Sequence, residues 1–176
     1  MKHFLIETDR LYLREYTYDD FEAIYEIVSD PETMKHYPSP YNEKQARWWV
    51  EWSMRNYKEH GFGWWAVILK ETGEFIGDCG LTMQNINGDI LPEIGYHFHK
   101  KHWKKGYGSE AARAVKDWTF KHTEFDCLYS YMTAGNIASY KTAEANGMKR
   151  AGQFHDEKYG EMYLYKITRD EWRKKA

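Results

Sequence analysis

Around Trp64 the spacing of apolar residues changes from helical to extended, and the turns that follow limit what the middle of the chain can become. Trp64 to Leu69 is an unbroken apolar run suited to a central strand. Gly73 turns the chain into Phe75 to Met83, and Asn87-Gly88 turns it again into Ile90 to His99. Asn-Gly accepts the positive φ angles of a two-residue hairpin. Two such turns in succession make an antiparallel meander.

Helices are expected on either side of this meander. Leu11 to Tyr16 alternates as a first strand, and Thr17 then caps a helix with Phe21, Ile24, Tyr25 and Val28 on one face. Ser29-Asp30-Pro31 stops it, and Tyr37-Pro38-Ser39-Pro40 is a loop. A second helix starts at Asn42, with Gln45 at the capping-box position, and ends at His60-Gly61. After the meander a third helix fits Gly108 to Phe120, with Ala111, Val115 and Trp118 inward. A strand (Cys127 to Met132), a helix (Asn136 to Ala145) stopped by Asn146-Gly147, and two strands (Met148 to Phe154, Glu161 to Ile167) close the chain. The order β-α-α-β-β-β-α-β-α-β-β predicts a mixed α/β domain of about seven strands and about four helices.

With 176 residues, 42% hydrophobic and 30% charged, the chain fits one globular domain over 1–176. Aromatic residues reach 18%, enough to fill the core and leave some for a pocket. A net charge of -2 offers no global basic field, which argues against nucleic acid as a partner. Cys79 and Cys127 have no metal or redox spacing and read as core residues of a cytoplasmic protein, with a single disulfide left open. The opening Met1–Arg10 segment lacks a long apolar leader, and no stretch approaches the ~20 apolar residues of a membrane span.

The chemistry concentrates in Trp103-Lys104-Lys105-Gly106-Tyr107-Gly108-Ser109, between a predicted strand and a predicted helix. Its glycines permit a sharp turn, and the free N–H groups and dipole of the helix start favour an anion, with two lysines beside them. This describes a phosphate or pyrophosphate cradle. It is not a P-loop. Gly106, Gly108 and Ala111 do read as G-x-G-x-x-A, which leaves a nicotinamide oxidoreductase as a lesser reading. Against it, about half the chain precedes the turn, and Asp126 precedes the next strand instead of ending it. An ordinary solvated turn is the bland alternative.

Roughly thirty residues on come Asn136, Ser139, Glu144, Gly147 and Met148 in the pattern N-x-x-S-x-x-x-x-E-x-x-G, with Met where Phe is commoner. The pair of motifs resembles the GNAT acetyltransferase superfamily, and within it the RimJ/RimL branch. The Thr8-Asp9-Arg10-Leu11-Tyr12-Leu13-Arg14 opening and Trp103 at the head of the turn are similar to that branch, so the likeness spans about 8–168. It implies a mostly antiparallel twisted sheet in which a β-bulge splays the fourth predicted strand from the fifth. Acetyl-CoA is the implied cosubstrate, with no metal. Backbone groups of His97, Phe98 and His99 would hold its pantetheine arm with Asn136, and backbone groups from Lys104 through Lys105, Gly106, Tyr107 and Gly108 to Ser109 its pyrophosphate.

The acceptor implied is a primary amine, on a protein N-terminus or a small molecule, attacked directly in a ternary complex. Glu93 falls where many relatives carry the carboxylate that takes the amine's proton, with Asp156, Glu157 and Glu161 as rivals. Many relatives protonate the leaving thiolate with a Tyr, but that position is Ala143 here. The role then passes to Ser139, with Tyr140 second. Tyr37 and Tyr41 would wall the acceptor site, with Glu157 nearby. His97, His99 and His102 have no further ligand at metal spacing. A non-catalytic acyl-CoA-binding relative, and a monomer or homodimer, stay open at this point.

Overall fold

The computed structural model describes residues 5–174, so the leader reading at Met1–Arg10 lies partly outside the described residues. Strands β1 (Ile6–Glu7) and β2 (Leu11–Glu15) are followed by a 3-10 turn and α1 (Phe21–Val28). A loop leads to α2 (Glu43–His60), whose Asn42/Gln45 capping box forms as expected and whose C-cap, Gly61, is left-handed at φ 77°. The meander is β3 (Trp64–Leu69), β4 (Phe75–Ile86) and β5 (Asp89–Phe98). Asn87 and Gly88 make its second turn at φ 53° and 96°. Next come α3 (Tyr107–His122), β6 (Cys127–Thr133), α4 (Ile137–Ala145), β7 (Lys149–Asp156), β8 (Gly160–Thr168) and α5 (Arg169–Arg173). Among the described residues this makes eight strands and five helices, the additions to the expected pattern being the short β1 and α5.

All strands join one sheet in the order β1-β2-β3-β4-β5-β6-β8-β7, antiparallel except between β5 and β6. One apolar cluster joins α1 and α2 to one face, and a second joins α3 and α4 to the other. Every residue of β3 is buried, as a strand covered on both faces requires. At the outer end of β2, the Arg14 guanidinium donates to both Asp20 carboxylate oxygens at 2.7 Å, holding the start of α1 to the sheet.

The junction of β5 and β6 positions the site. The two strands share a single register pair, Glu93 with Tyr129, and are splayed elsewhere. Contrary to expectation, no bulge in β5 accompanies the splay: its register against β4 runs unbroken from Gly77–Phe98 to Ile86–Asp89. The two strands are connected by a crossover through α3, which lies against β4 and β5.

Candidate active site

Along β5, successive side chains point to opposite faces. Ile94 and Phe98 join the cluster under α3 and α4, with Tyr96 packed against it, whereas the His97 ring stacks on Trp64 toward α2, 5.1 Å between centroids. Main-chain groups alternate as well. Toward β4, the N–H of His97 is donated to the Asp78 side-chain Oδ1 and that of His99 to the Ile76 carbonyl. Alternation therefore turns the main chain of Tyr96 and Phe98 toward the splayed seam, although the Phe98 carbonyl already accepts the Trp103 indole N–H at 2.8 Å. Of the three residues expected to line the seam by their backbone, only Phe98 faces it.

Glu93 sits at the one paired position. Its side chain belongs to the α2 face, is 5% exposed, and has no hydrogen bond or ion pair among the described residues. Burial alone pushes its carboxyl up to about 8. Across the sheet, the Tyr96 hydroxyl reaches the first turn of α4, 3.1 Å from both the Ser139 Oγ and the Ser139 carbonyl. Burial raises the Tyr96 hydroxyl to about 12, so it stays protonated and available as a donor. Asn136 caps α4 by accepting the Ser139 N–H at 3.2 Å. It thereby fixes the helix start on which Ser139 meets Tyr96.

At the end of β5 the glycine-rich turn folds as a cradle. Lys104 and Gly106 have positive φ, 61° and 83°, and Gly106 is the N-cap of α3, where no side chain caps the helix. The first-turn N–H groups of Tyr107, Gly108 and Ser109 are left for an external acceptor. Arg10 steadies this turn: it donates to the Lys105 carbonyl at 2.9 Å, pairs with Glu110, and lies over the Tyr107 ring. Lys104 and Lys105 are exposed beside the cradle.

On the α2 face a cavity of about 150 Å³ opens between the loop before α2, the start of that helix and the β7–β8 hairpin. Tyr37, Tyr41, Trp48 and Tyr159 supply its aromatic walls. The Tyr37 hydroxyl meets His97 Nε2 at 2.7 Å, and His97 Nδ1 meets Asp78 Oδ1 at 2.9 Å. Asp78 is fully buried, and its other oxygen accepts the Tyr16 hydroxyl and the Trp49 indole N–H, each at 2.9 Å.

A seam beside a helix-start cradle suits an extended, phosphorylated ligand, and the family comparison agrees with that form. The model of the acetyltransferase (GNAT) domain matches residues 10–149. The chain belongs to the GNAT acetyltransferase family. It is 39% identical to YkkB of Bacillus subtilis (strain 168) over 142 residues, covering 80% of this chain and 83% of that one. It is also 31% identical to the N-acetyltransferase YnaD of the same strain, over 95% of this chain and 98% of that one. Among solved structures, a GNAT-family acetyltransferase from Bacillus anthracis superposes with a TM-score of 0.79 at 30% identity, over 96% of this chain and 99% of that one.

This GNAT chain is thus an acyltransferase, and not all of the residues expected to serve it converge. Tyr140 turns from the seam and stacks on Tyr165 of β8. Asp156 accepts the N–H groups of Lys158 and Tyr159 and so shapes the hairpin turn, and Glu161 pairs with His155 at the surface. Glu157 is exposed on the same hairpin. The three histidines are engaged separately, His97 with Asp78, His99 with Glu26 and His102 beside Glu74. Sequence reasoning missed Asp78, Tyr96 and Tyr159. A lone acid between glycines in an apolar strand, Gly77-Asp78-Cys79-Gly80, was the available signal for the first, because a buried carboxylate needs donors.

Proposed function

We propose that this protein transfers an acetyl group from acetyl-CoA to a primary amine by direct attack in a ternary complex, as one acetyltransferase domain over 1–176. The observation that carries this reading is the seam itself. A buried, unpartnered carboxyl stands on one face at Glu93, and paired hydroxyls stand on the other at Ser139 and Tyr96. The pantetheine arm would lie along the seam-facing main chain of Tyr96 and Phe98, and the pyrophosphate on the N–H groups from Gly106 to Ser109, with Lys104 and Lys105 adding charge. The acceptor amine would enter by the aromatic cavity at Tyr37 and Tyr41. Glu93 takes a proton from it, and the amine attacks the thioester carbonyl. The departing thiolate is met by Ser139, whose hydroxyl is in turn backed by Tyr96.

The acceptor is either a protein N-terminus or a small-molecule amine. The anchoring of the glycine turn by Arg10, from the Thr8–Arg14 opening, supports the RimJ/RimL-like branch. The test is free-thiol release from acetyl-CoA against a panel of amines and N-terminal peptides. We expect release that depends on one acceptor class and falls about 10²-fold or more in Glu93→Gln. Ser139→Ala should lower kcat with little change in acetyl-CoA binding. Unchanged release in both variants removes these two roles. Tight acetyl-CoA binding without release for any acceptor favours a regulatory relative.

A further inference from the structure

An ammonium acceptor must lose two protons to become an amide, one before attack and one from the tetrahedral adduct. The leaving thiolate takes up one of them, and the other must reach solvent. Glu93 provides a place for one. We propose that Tyr37, His97 and Asp78 form a relay that accepts the other, Tyr37 being the residue that meets the amine and His97 and Asp78 being positioning residues behind it. This rests on the amine-acetylation reading above.

The geometry is continuous from the cavity wall to the sheet interior. Asp78 Oδ1 accepts both the backbone N–H and the Nδ1–H of His97, at 3.1 and 2.9 Å, while Oδ2 accepts Tyr16 and Trp49. A buried carboxyl group with four donors is held in place. Placing the His97 proton on Nδ1 leaves Nε2 as an acceptor, and the Tyr37 hydroxyl sits 2.7 Å from it. The imidazole packs against both Trp64 and Trp49, at 5.1 and 5.5 Å between ring centroids, and is 5% exposed. Tyr37 lines the cavity, packs against Tyr41 and Tyr159, and turns its hydroxyl to His97.

The step balances without a further reactant. As the amine nitrogen gives a proton to the Tyr37 oxygen, Tyr37 gives its own to His97 Nε2, forming an imidazolium beside the Asp78 carboxylate. After product leaves, the same path returns this proton to cavity water, and the proton taken by Glu93 balances the one that departs on the CoA thiol, so that one proton per turnover reaches solvent. Burial, with Tyr41 and Glu93 adding to it, holds the Tyr37 phenol well above its usual range. It therefore conducts a proton instead of storing a charge. The ionisable groups around the path are Tyr16 and Asp78 at its inner end and Tyr41, Glu93, Tyr131 and Tyr159 at its outer end, with Lys158 on the cavity wall.

The experiment compares wild type, Tyr37→Phe and His97→Gln for acetyl-CoA and amine turnover from pH 6 to 10, with a proton inventory in mixed light and heavy water. We expect Tyr37→Phe to lose about tenfold to a hundredfold in kcat with KM for both substrates nearly unchanged. It should also convert a curved inventory to a linear one. His97→Gln should show the same loss and the same linear inventory, because Nε2 is the atom that takes the proton from Tyr37. Tyr37→Phe removes a single oxygen, so it decides the matter should His97→Gln not fold. The proposal is overturned if Tyr37→Phe keeps its kcat and pH profile, or if it raises only the amine KM, which would make Tyr37 a wall. Wild-type protein that turns over no amine overturns the acetylation reading and this one together. Wild-type turnover with an unaffected Tyr37→Phe overturns this one alone.

Discussion

A carboxylic acid buried without a partner weakens the fold as it ionises, and Glu93 is set to ionise within the working pH range. Its folded value of about 8 lies above the ~4.3 of an unfolded Glu. A group raised on folding contributes stability that is fully present below the unfolded value and is lost as pH climbs through the folded one. Unliganded wild type should therefore lose stability between about pH 4.5 and 8, at about 1.4 kcal/mol per unit of displacement. Glu93→Gln, which carries no charge at any pH, should melt higher than wild type at pH 9 while turning over far more slowly. Equal melting temperatures at pH 9 would mean that the carboxyl is solvated in solution. Glu93 and Ser139 could be named as candidates from the sequence because Ser139 is part of the second motif and Glu93 lies at a set distance before the glycine turn. Asp78 could not be, because its donors come from residues 16, 49 and 97, and no local spacing reports that convergence. Tyr96 was missed for a similar reason: its partner lies 43 residues on, in α4.

Elements were read best where backbone chemistry is local. Asn42 with Gln45, Gly61, and Asn87-Gly88 each dictate their geometry within a few residues, and all three formed as expected. Strand β1 is only two residues long, with no periodicity to detect, and exists because β2 is there to pair with it. Helix α5 carried a readable capping box, Thr168 with Glu171, but its five residues give no apolar stripe. The most consequential local geometry is the start of α3. Gly106 is left-handed at φ 83°, which an L side chain adopts at a cost of about 1–2 kcal/mol, and an added Cβ would lie 3.4 Å from the Arg10 guanidinium. Gly106→Ala should thus strain the turn and disturb the Arg10 clamp that holds it. The expected result is acetyl-CoA affinity weakened about tenfold or more by calorimetry, with a modest fall in melting temperature. An unchanged affinity would detach the cradle from cosubstrate binding.

At the scale of the molecule, the sheet consists of two well-paired parts, β1 to β5 and β6 to β7, joined through one register pair at Glu93 and Tyr129. Extensive ladders on either side make each part stiff, so the seam is where the sheet is least tied. Helices α3 and α4 span it from one face, and a small void lined by Ile94, Tyr96, Ser130 and Ala143 lies beneath them. A ligand arm that lies in the seam would take up unpaired main-chain groups from both parts and so act as the missing strand. Acetyl-CoA bound as proposed should, at about a hundredfold over its Kd, add about 2.7 kcal/mol to the folded state, or roughly 5–10 °C in melting temperature for a chain of this size. The location of the protection is the sharper measure. Amide exchange should slow at Tyr96 and Phe98 of β5 and along Ser130 to Thr133 of β6, as well as at Tyr107 to Ser109. The N–H groups of His97 and His99, already bonded to β4, should change little. Protection confined to the turn would show that the cosubstrate is held by its pyrophosphate alone, and the two parts of the sheet would then need another reason for being apart.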